Sequence, residues 1–138
     1  MKKFCIAWLI ALSSAGWSQP EVVRNIEYGQ VQNQSLKLDF YPASQPKAPL
    51  LIFVHGGGWC KGSRAELGLA AEELHQAGFA IASIDYRLVP NAVWPAQLED
   101  VKCAIRYLRG HAKELGLDGQ RFGAWGESAG AHLVNLAG

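Results

Sequence analysis

The sequence predicts an α/β protein in which a mostly parallel sheet carries helices on both faces and an antiparallel strand pair lies at its N-terminal end. Three observations carry this: clean alternation at Ser35–Tyr41, an unbroken apolar run at Leu50–Val54 with a second buried strand at Phe79–Ile84, and helical periodicity after each. Strict alternation marks a strand with one covered face, whereas an unbroken apolar run of strand length marks one buried on both. Strands that alternate with helices form a parallel sheet, because each return crossover passes over one of its faces.

In the first of these strands Leu36, Leu38 and Phe40 face one way and Ser35, Lys37 and Asp39 the other. Val22–Tyr28 is its expected partner, and Pro42–Pro49 reads as a surface connection. Leu50–Val54, bounded by Pro49 and by glycines, belongs in the centre of the sheet. Ser63–Ala77 favours helix, with Leu67, Ala70, Ala71 and Leu74 on one stripe and Gly78 at the stop position. Leu98, Val101, Ile105 and Leu108 recur at helical spacing through Ala96–Leu108; Gly110 follows, and helicity can resume through Leu115. Arg121–Trp125 is a short strand and Ser128–Ala137 a last helix. From Leu50 onward the order is strand, helix, strand, helix, strand, helix, with no repeat or linker. The third of these strands should lie near a sheet edge with its next neighbour still to come. Residues 19–138 therefore read as the N-terminal part of one domain, incomplete at its C-terminus.

Composition excludes several classes of function. The 138 residues are 49% hydrophobic and 18% charged, which suits a single globular unit. Thirteen Lys and Arg stand against twelve Asp and Glu, without a basic run, so no nucleic-acid partner is expected. Residues 1–18 read as a signal peptide: Lys2 and Lys3 precede the apolar run Phe4–Leu12, too short to span a bilayer, and Gly16 and Ser18 fit the positions read by a signal peptidase. The expected destination is secreted or periplasmic, with cleavage near Ser18/Gln19 and no stable membrane span afterwards. A buried N-terminal helix is the weaker alternative, since the run has no polar face. Cys5 precedes the run, so a lipid anchor at the cleavage site is not indicated. Cys60 and Cys103 remain, and whether they bridge is open.

Two motifs carry chemistry. Gly126-Glu127-Ser128-Ala129-Gly130 lies between an expected strand and an expected helix, the setting that a nucleophile elbow requires. So sharp a turn strains the Ser backbone and brings neighbouring segments close, so the positions two before and two after must be nearly without side chain. Ser128 is the candidate nucleophile. The Ala129 N–H, in the first turn of the helix, is aimed where a developing oxyanion is favoured. Such a match is common by chance, and His55-Gly56-Gly57-Gly58-Trp59, directly after a buried strand, supplies the support. Consecutive glycines let the backbone approach a carbonyl oxygen, which makes Gly57 and Gly58 candidate oxyanion donors beside Ala129. A flexible linker is the alternative, and Val54 and Trp59 do not suit one.

With these motifs the chain resembles the α/β-hydrolases of the hormone-sensitive-lipase-like and secreted esterase group. The resemblance runs from about Val23 to Gly138 through "HGGGW" at His55–Trp59, "DYRLVP" at Asp85–Pro90, "WPAQLEDVKCAIRYLR" at Trp94–Arg109 and "GLDGQRFGAWGESAGAHL" at Gly116–Leu133. It implies hydrolysis of small carboxylic esters, including carbohydrate-linked ones, through an acyl-enzyme on Ser128, with no metal or organic cofactor. It also implies that the first motif shapes the oxyanion hole while the middle segments build scaffold.

The remaining polar residues have structural readings. His55 is expected to fix the shape of the glycine loop, with a role as base the alternative. His132, one turn beyond Ser128 on the same helix, is structural. Glu127 is expected to contact the loop, and Asp85, Glu99 and Asp100 to be cap or surface carboxylates. Trp59, Trp94 and Trp125 read as packing residues, Trp59 with an acyl-pocket role open. In this fold the acid and the His follow the nucleophile, and the ten residues after Ser128 contain no carboxylate and one His. The chain alone is therefore expected to lack the triad acid and base. A non-catalytic hydrolase-like binding module, or an amidase or peptidase on the same fold, are the rival readings. Oligomeric state is not encoded in any of these features.

Overall fold

The computed structural model describes residues 20–138, and the signal peptide expected at 1–18 lies outside the described residues. Five strands form one sheet: β1 (Val23–Val31), β2 (Gln34–Tyr41), β3 (Ala48–Val54), β4 (Ala80–Ile84) and β5 (Leu117–Gly126). Three helices accompany them: α1 (Leu69–Gln76), α2 (Ala96–Gly110) and α3 (Ala129–Ala137). The strand order is β1-β2-β4-β3-β5. β2 runs antiparallel to β1 and to β4, whereas β3 is parallel to both β4 and β5. The expected α/β sheet, parallel through β4, β3 and β5 and preceded by an N-terminal antiparallel pair, is thus present as a mixed sheet of five strands, and β5 is an edge of it.

The alternation in β2 sets the two faces. Leu36, Leu38 and Phe40 join Leu50, Ile52 and Val54 of β3 in the larger core, which Val101, Ala104 and Leu108 of α2 and Leu133 of α3 close. Leu51, Phe53 and Ile81 point to the other face and meet Ala71 of α1. Each large side chain buried in this way contributes roughly 1.5–3 kcal/mol through removal of apolar surface from water. Because α1 and α3 cover opposite faces, the helices that follow the adjacent strands β3 and β5 diverge. Such divergence leaves a crevice at the carboxyl ends of the two strands.

Several local expectations are corrected. α1 begins at Leu69 rather than Ser63. The residues before it are drawn off the helical path, since the Arg64 N–H donates to the Asp85 carboxylate at 2.7 Å and Gly68, extended, sits against the Glu127 side chain. Leu67 and Leu74 still pack where the stripe predicts, while Leu69 is 78% exposed. The segment after α2 makes turns, one closed by Leu115 N–H to His111 carbonyl at 3.0 Å, and resumes no helix. Asp39 is not on a solvent face: it is 3% exposed, because that side of β2 lies beneath Arg64 and Arg24. Cys60 and Cys103 are free thiols, which closes the open question of a bridge. Cys103 lies beside the backbone of β1, and Cys60 is on the exposed glycine loop. Among the described residues no helix is long and apolar enough to cross a membrane.

Candidate active site

Parallel pairing brings the two sequence motifs together. Val54 at the end of β3 pairs with Gly126 at the end of β5, so His55–Trp59 and Glu127–Ser128 leave the sheet side by side into the crevice. The Glu127 N–H donates to the Val54 carbonyl at 3.3 Å and fastens the two exits. The chain then turns from strand to helix at Ser128, which adopts φ 49° and ψ −113°. This lies in the left-handed region that a non-glycine residue enters only under constraint. Ser128 is exposed at the head of α3, and the turn is closed by Gly130 N–H to Glu127 carbonyl at 2.8 Å.

Close backbone approach explains the elbow glycines. A Cβ at Gly126 would collide with the backbone of Gly130, and one at Gly130 with the carbonyl oxygen of Val54. The glycine loop lies directly against the elbow, because a Cβ at Gly56 would stand 2.9 Å from the Glu127 carbonyl oxygen and 3.4 Å from the Ser128 Cβ. Gly57 and Gly58 continue the loop at φ 111° and 61°, and the Gly57 carbonyl accepts from the Cys60 and Lys61 N–H groups at 3.2 Å each. Ala129 is the first residue of α3, where backbone N–H groups have no acceptor within the helix. The segments holding Ser128, Gly57, Gly58 and Ala129 therefore converge on one end of the sheet.

The loop is held from below. The His55 ring is 2% exposed, stacks on Tyr86 at 4.3 Å and places Nδ1 2.7 Å from the Gly56 carbonyl oxygen. The Tyr86 hydroxyl donates to the His55 carbonyl at 3.0 Å, and burial pushes its pKa up to about 12, so it remains a donor at neutral pH. This places His55 as the scaffold of the loop. The two neighbours of Tyr86 fasten other elements. Asp85 accepts from the backbone and guanidinium of Arg64, just past the loop. Arg87 makes a fork on Asp100 of α2, with Nε–Oδ2 2.9 Å and Nη2–Oδ1 2.7 Å. Asp100 is thus not a surface carboxylate but a buried partner, 2% exposed, while Glu99 is on the surface. The sequence reading missed Arg64, Tyr86 and Arg87; for the last two the signal available was three adjacent polar side chains, Asp85-Tyr86-Arg87, directly after a buried strand.

Asp39 completes the anchor, accepting from Arg64 Nε at 3.0 Å, Arg24 Nη1 at 2.8 Å and the Asn25 N–H at 2.9 Å. Burial alone pushes its pKa up, but the Asn25 N–H and the two guanidiniums outweigh that and hold it below its ordinary 3.8. A carboxylate with a depressed pKa contributes stability that is complete above its unfolded value and is lost as pH falls through the folded one. Asp39→Asn is accordingly expected to cost about 2 kcal/mol at pH 7, the worth of charge-assisted bonds to a buried group. The difference from wild type should shrink below about pH 4. Urea midpoints measured at pH 7 and pH 3 check this; an equal loss at both would contradict the charge argument.

Beyond the serine, α3 carries His132, whose N–H donates to the Ser128 carbonyl at 3.1 Å. Its ring meets Trp59 edge-to-face at 5.4 Å and Trp94 at 6.2 Å. Trp59 and Trp94 thus pack against His132 while remaining partly open, 38% and 54% exposed, and Trp125 on the edge strand β5 is 43% exposed.

The family model of BD-FAE matches residues 38–138, from the middle of β2 through α3 and across the whole crevice. The chain belongs to the BD-FAE family. Among relatives of this BD-FAE chain, the esterase LipC of Mycobacterium tuberculosis is 46% identical over 92 residues, covering 66% of the chain and 23% of LipC. The esterase Est2 of Thermogutta terrifontis superposes with a TM-score of 0.73 at 35% identity, covering 86% of the chain and 44% of Est2. A truncated carbohydrate esterase from gut microbiota gives 0.78 at 35% identity, covering 90% of the chain and 45% of that protein. The BD-FAE chain thus spans less than half the length of these relatives. The fold is that of a partial α/β-hydrolase, as the motifs imply.

Proposed function

We propose that Ser128 is the nucleophile of a serine carboxylesterase that hydrolyses short-chain or carbohydrate-linked carboxylic esters through an acyl-enzyme. One observation carries the reading: an exposed serine, held at a positive φ between a strand and a helix, faces a glycine loop in a chain whose relatives are esterases. Its Oγ attacks the ester carbonyl carbon as its proton passes to a base. The N–H groups of Gly57, Gly58 and Ala129 hold the oxyanion, each donor contributing on the order of 3 kcal/mol to the transition state. The alcohol leaves with the proton, and water then attacks the acyl-enzyme, regenerating Ser128 and releasing the acid.

The described histidines are engaged elsewhere. His55 lies buried beneath the loop, His132 is packed between two indoles, and His75 and His111 bond to backbone carbonyls near the far ends of α1 and α2. The base and its carboxylate are therefore assigned to chain beyond the described residues, in keeping with the length of the relatives. The carbohydrate-linked arm is supported by the likeness to a carbohydrate esterase, and export by the N-terminal leader pattern.

A fluorophosphonate probe applied to the full-length protein tests the reading. Rapid labelling of Ser128 is expected; no labelling would favour the non-catalytic binding module. Cleavage of an anilide as fast as the matching phenyl ester would favour an amidase.

A further inference from the structure

We propose that Arg64 is a positioning residue for ester hydrolysis, setting where the backbone donors of the glycine loop stand relative to Ser128. The inference deepens the esterase reading of Ser128 and rests on it. Arg64 follows the loop and is tied down through both its backbone and its side chain. Its N–H donates to the Asp85 carboxylate at 2.7 Å, and its carbonyl accepts from the Ser83 hydroxyl at 2.7 Å. The guanidinium reaches three partners: Nε donates to Asp39 at 3.0 Å, Nη1 to the second oxygen of Asp85, and Nη2 to the side-chain oxygen of Asn25. Ser83 lies in β4, Asp39 in β2 and Asn25 in β1, so Arg64 joins the end of the loop to three strands. Ser83 and Asp39 are buried, and these bonds are made within the sheet and beneath the loop.

The edge strand is shaped to this contact. Asn25 stands at a break in the β1–β2 register with φ 62°, a left-handed conformation that asparagine adopts more readily than most residues. There its N–H donates to Asp39 and its side-chain oxygen accepts from Arg64. A shift at Arg64 reaches the donors because the chain between has no slack. The Gly57 carbonyl accepts from the Cys60 and Lys61 N–H groups, a Cβ on Gly57 would collide with the Lys61 carbonyl, and one on Gly62 with the His55 ring. Residues 56–62 therefore move as one closed body. Two other contacts hold it, the His55–Tyr86 stack and the Val89 N–H on the Trp59 carbonyl at 2.9 Å. Loss of the guanidinium would tilt the loop on these contacts rather than release it. Tilting displaces groups that matter most when charge develops on the ester oxygen, so the cost falls on kcat more than on KM.

The test uses the full-length protein and p-nitrophenyl acetate. Arg64→Met keeps the aliphatic stem and the two backbone bonds, and is expected to lower kcat about ten- to hundredfold with KM within about twofold, as for a small misplacement of transition-state contacts. Arg64→Lys keeps the charge but cannot span Asp39, Asp85 and Asn25 together, and should recover part of the loss. The inhibition constant of a trifluoromethyl ketone, whose adduct with Ser128 sets an oxyanion against the loop, should rise in step with the fall in kcat/KM. Arg24→Met is the control: it removes the other guanidinium on Asp39 and should lower stability while leaving kcat and the inhibition constant near wild type. Should Arg64→Met fail to fold, Asn25→Gly accepts φ 62° and deletes only the bond to Nη2, and the same paired change is expected at about two- to fivefold, the worth of one hydrogen bond. A fall in kcat with an unchanged inhibition constant reports a smaller folded fraction and would overturn the proposal. Wild-type kcat in folded Arg64→Met, unchanged kinetics in Asn25→Gly, or an equal effect of Arg24→Met would overturn it too. Failure of the esterase reading is a different result, a wild-type protein whose Ser128 stays unlabelled by the fluorophosphonate.

Discussion

Ser128→Ala in the full-length enzyme is expected to lower kcat for a short p-nitrophenyl ester by on the order of 10,000-fold or more, the loss seen when a triad nucleophile is removed. The substitution deletes one exposed hydroxyl. It leaves Gly126 and Gly130 in place, and the hydrogen bonds that close the turn run between the backbones of Glu127, Gly130 and Val54. The melting temperature should therefore stay near that of the wild type, since the Ser128 side chain makes no capping hydrogen bond to α3 and the strain at φ 49° belongs to the backbone. A weak residual rate is anticipated, because the donors of the glycine loop and α3 still meet the developing oxyanion. Steady-state kinetics beside a thermal melt separates the cases; a loss of less than about tenfold would remove Ser128 from the mechanism.

Gly130→Ala is expected to be strongly destabilising, with one of the closest backbone clashes among the described glycines. Its Cβ would point into the carbonyl oxygens of Val54 and His55, and neither is the end of a flexible side chain that can step aside. Relief requires α3 to lift away from the end of β3. That opens the packing of Leu133 in the core and moves Ser128 and Ala129 relative to the glycine loop. Overpacking of this kind costs roughly 1–3 kcal/mol and more when only backbone can yield. The expected outcome is an unfolding free energy, from urea titration, lowered by at least that amount, together with a fall in kcat of about a hundredfold from misplaced donors. Wild-type stability in Gly130→Ala would show that α3 does not pack as closely as described.

Where sequence and structure agree, the reason is that local pattern and tertiary demand coincide. Leu50–Val54 and the elbow glycines could be read because a central strand has no polar face and a tight strand-to-helix turn has no room for Cβ. His55 was legible as a scaffold residue because in this fold the triad acid and His follow the serine in the chain. Asp39 was misread because alternation reports which residues share a face, not whether something later in the chain covers that face. Arg64, 25 positions away, is what covers it. The same limit applies to Asp100, whose partner Arg87 comes from a different element, and to α1, whose first turns are withheld from the helix by contacts to Asp85 and Glu127. For Trp59 and Trp94 the packing role was legible, but not their partner His132 or their partial exposure, because these depend on how three elements far apart in the chain meet.

The tripeptide Asp85-Tyr86-Arg87 has a thermodynamic consequence for the glycine loop it braces. Three consecutive glycines have more backbone entropy to lose than any other tripeptide, and in an unanchored chain they would sample many conformations in which their N–H groups point apart. With His55 stacked on Tyr86 at one end and Arg64 bound to Asp85 at the other, that entropy is surrendered when β4 docks beside β3, as part of folding. If the loop donates to an oxyanion as proposed, an ester arriving at the crevice meets donors already aimed, and none of its binding energy is diverted to ordering them.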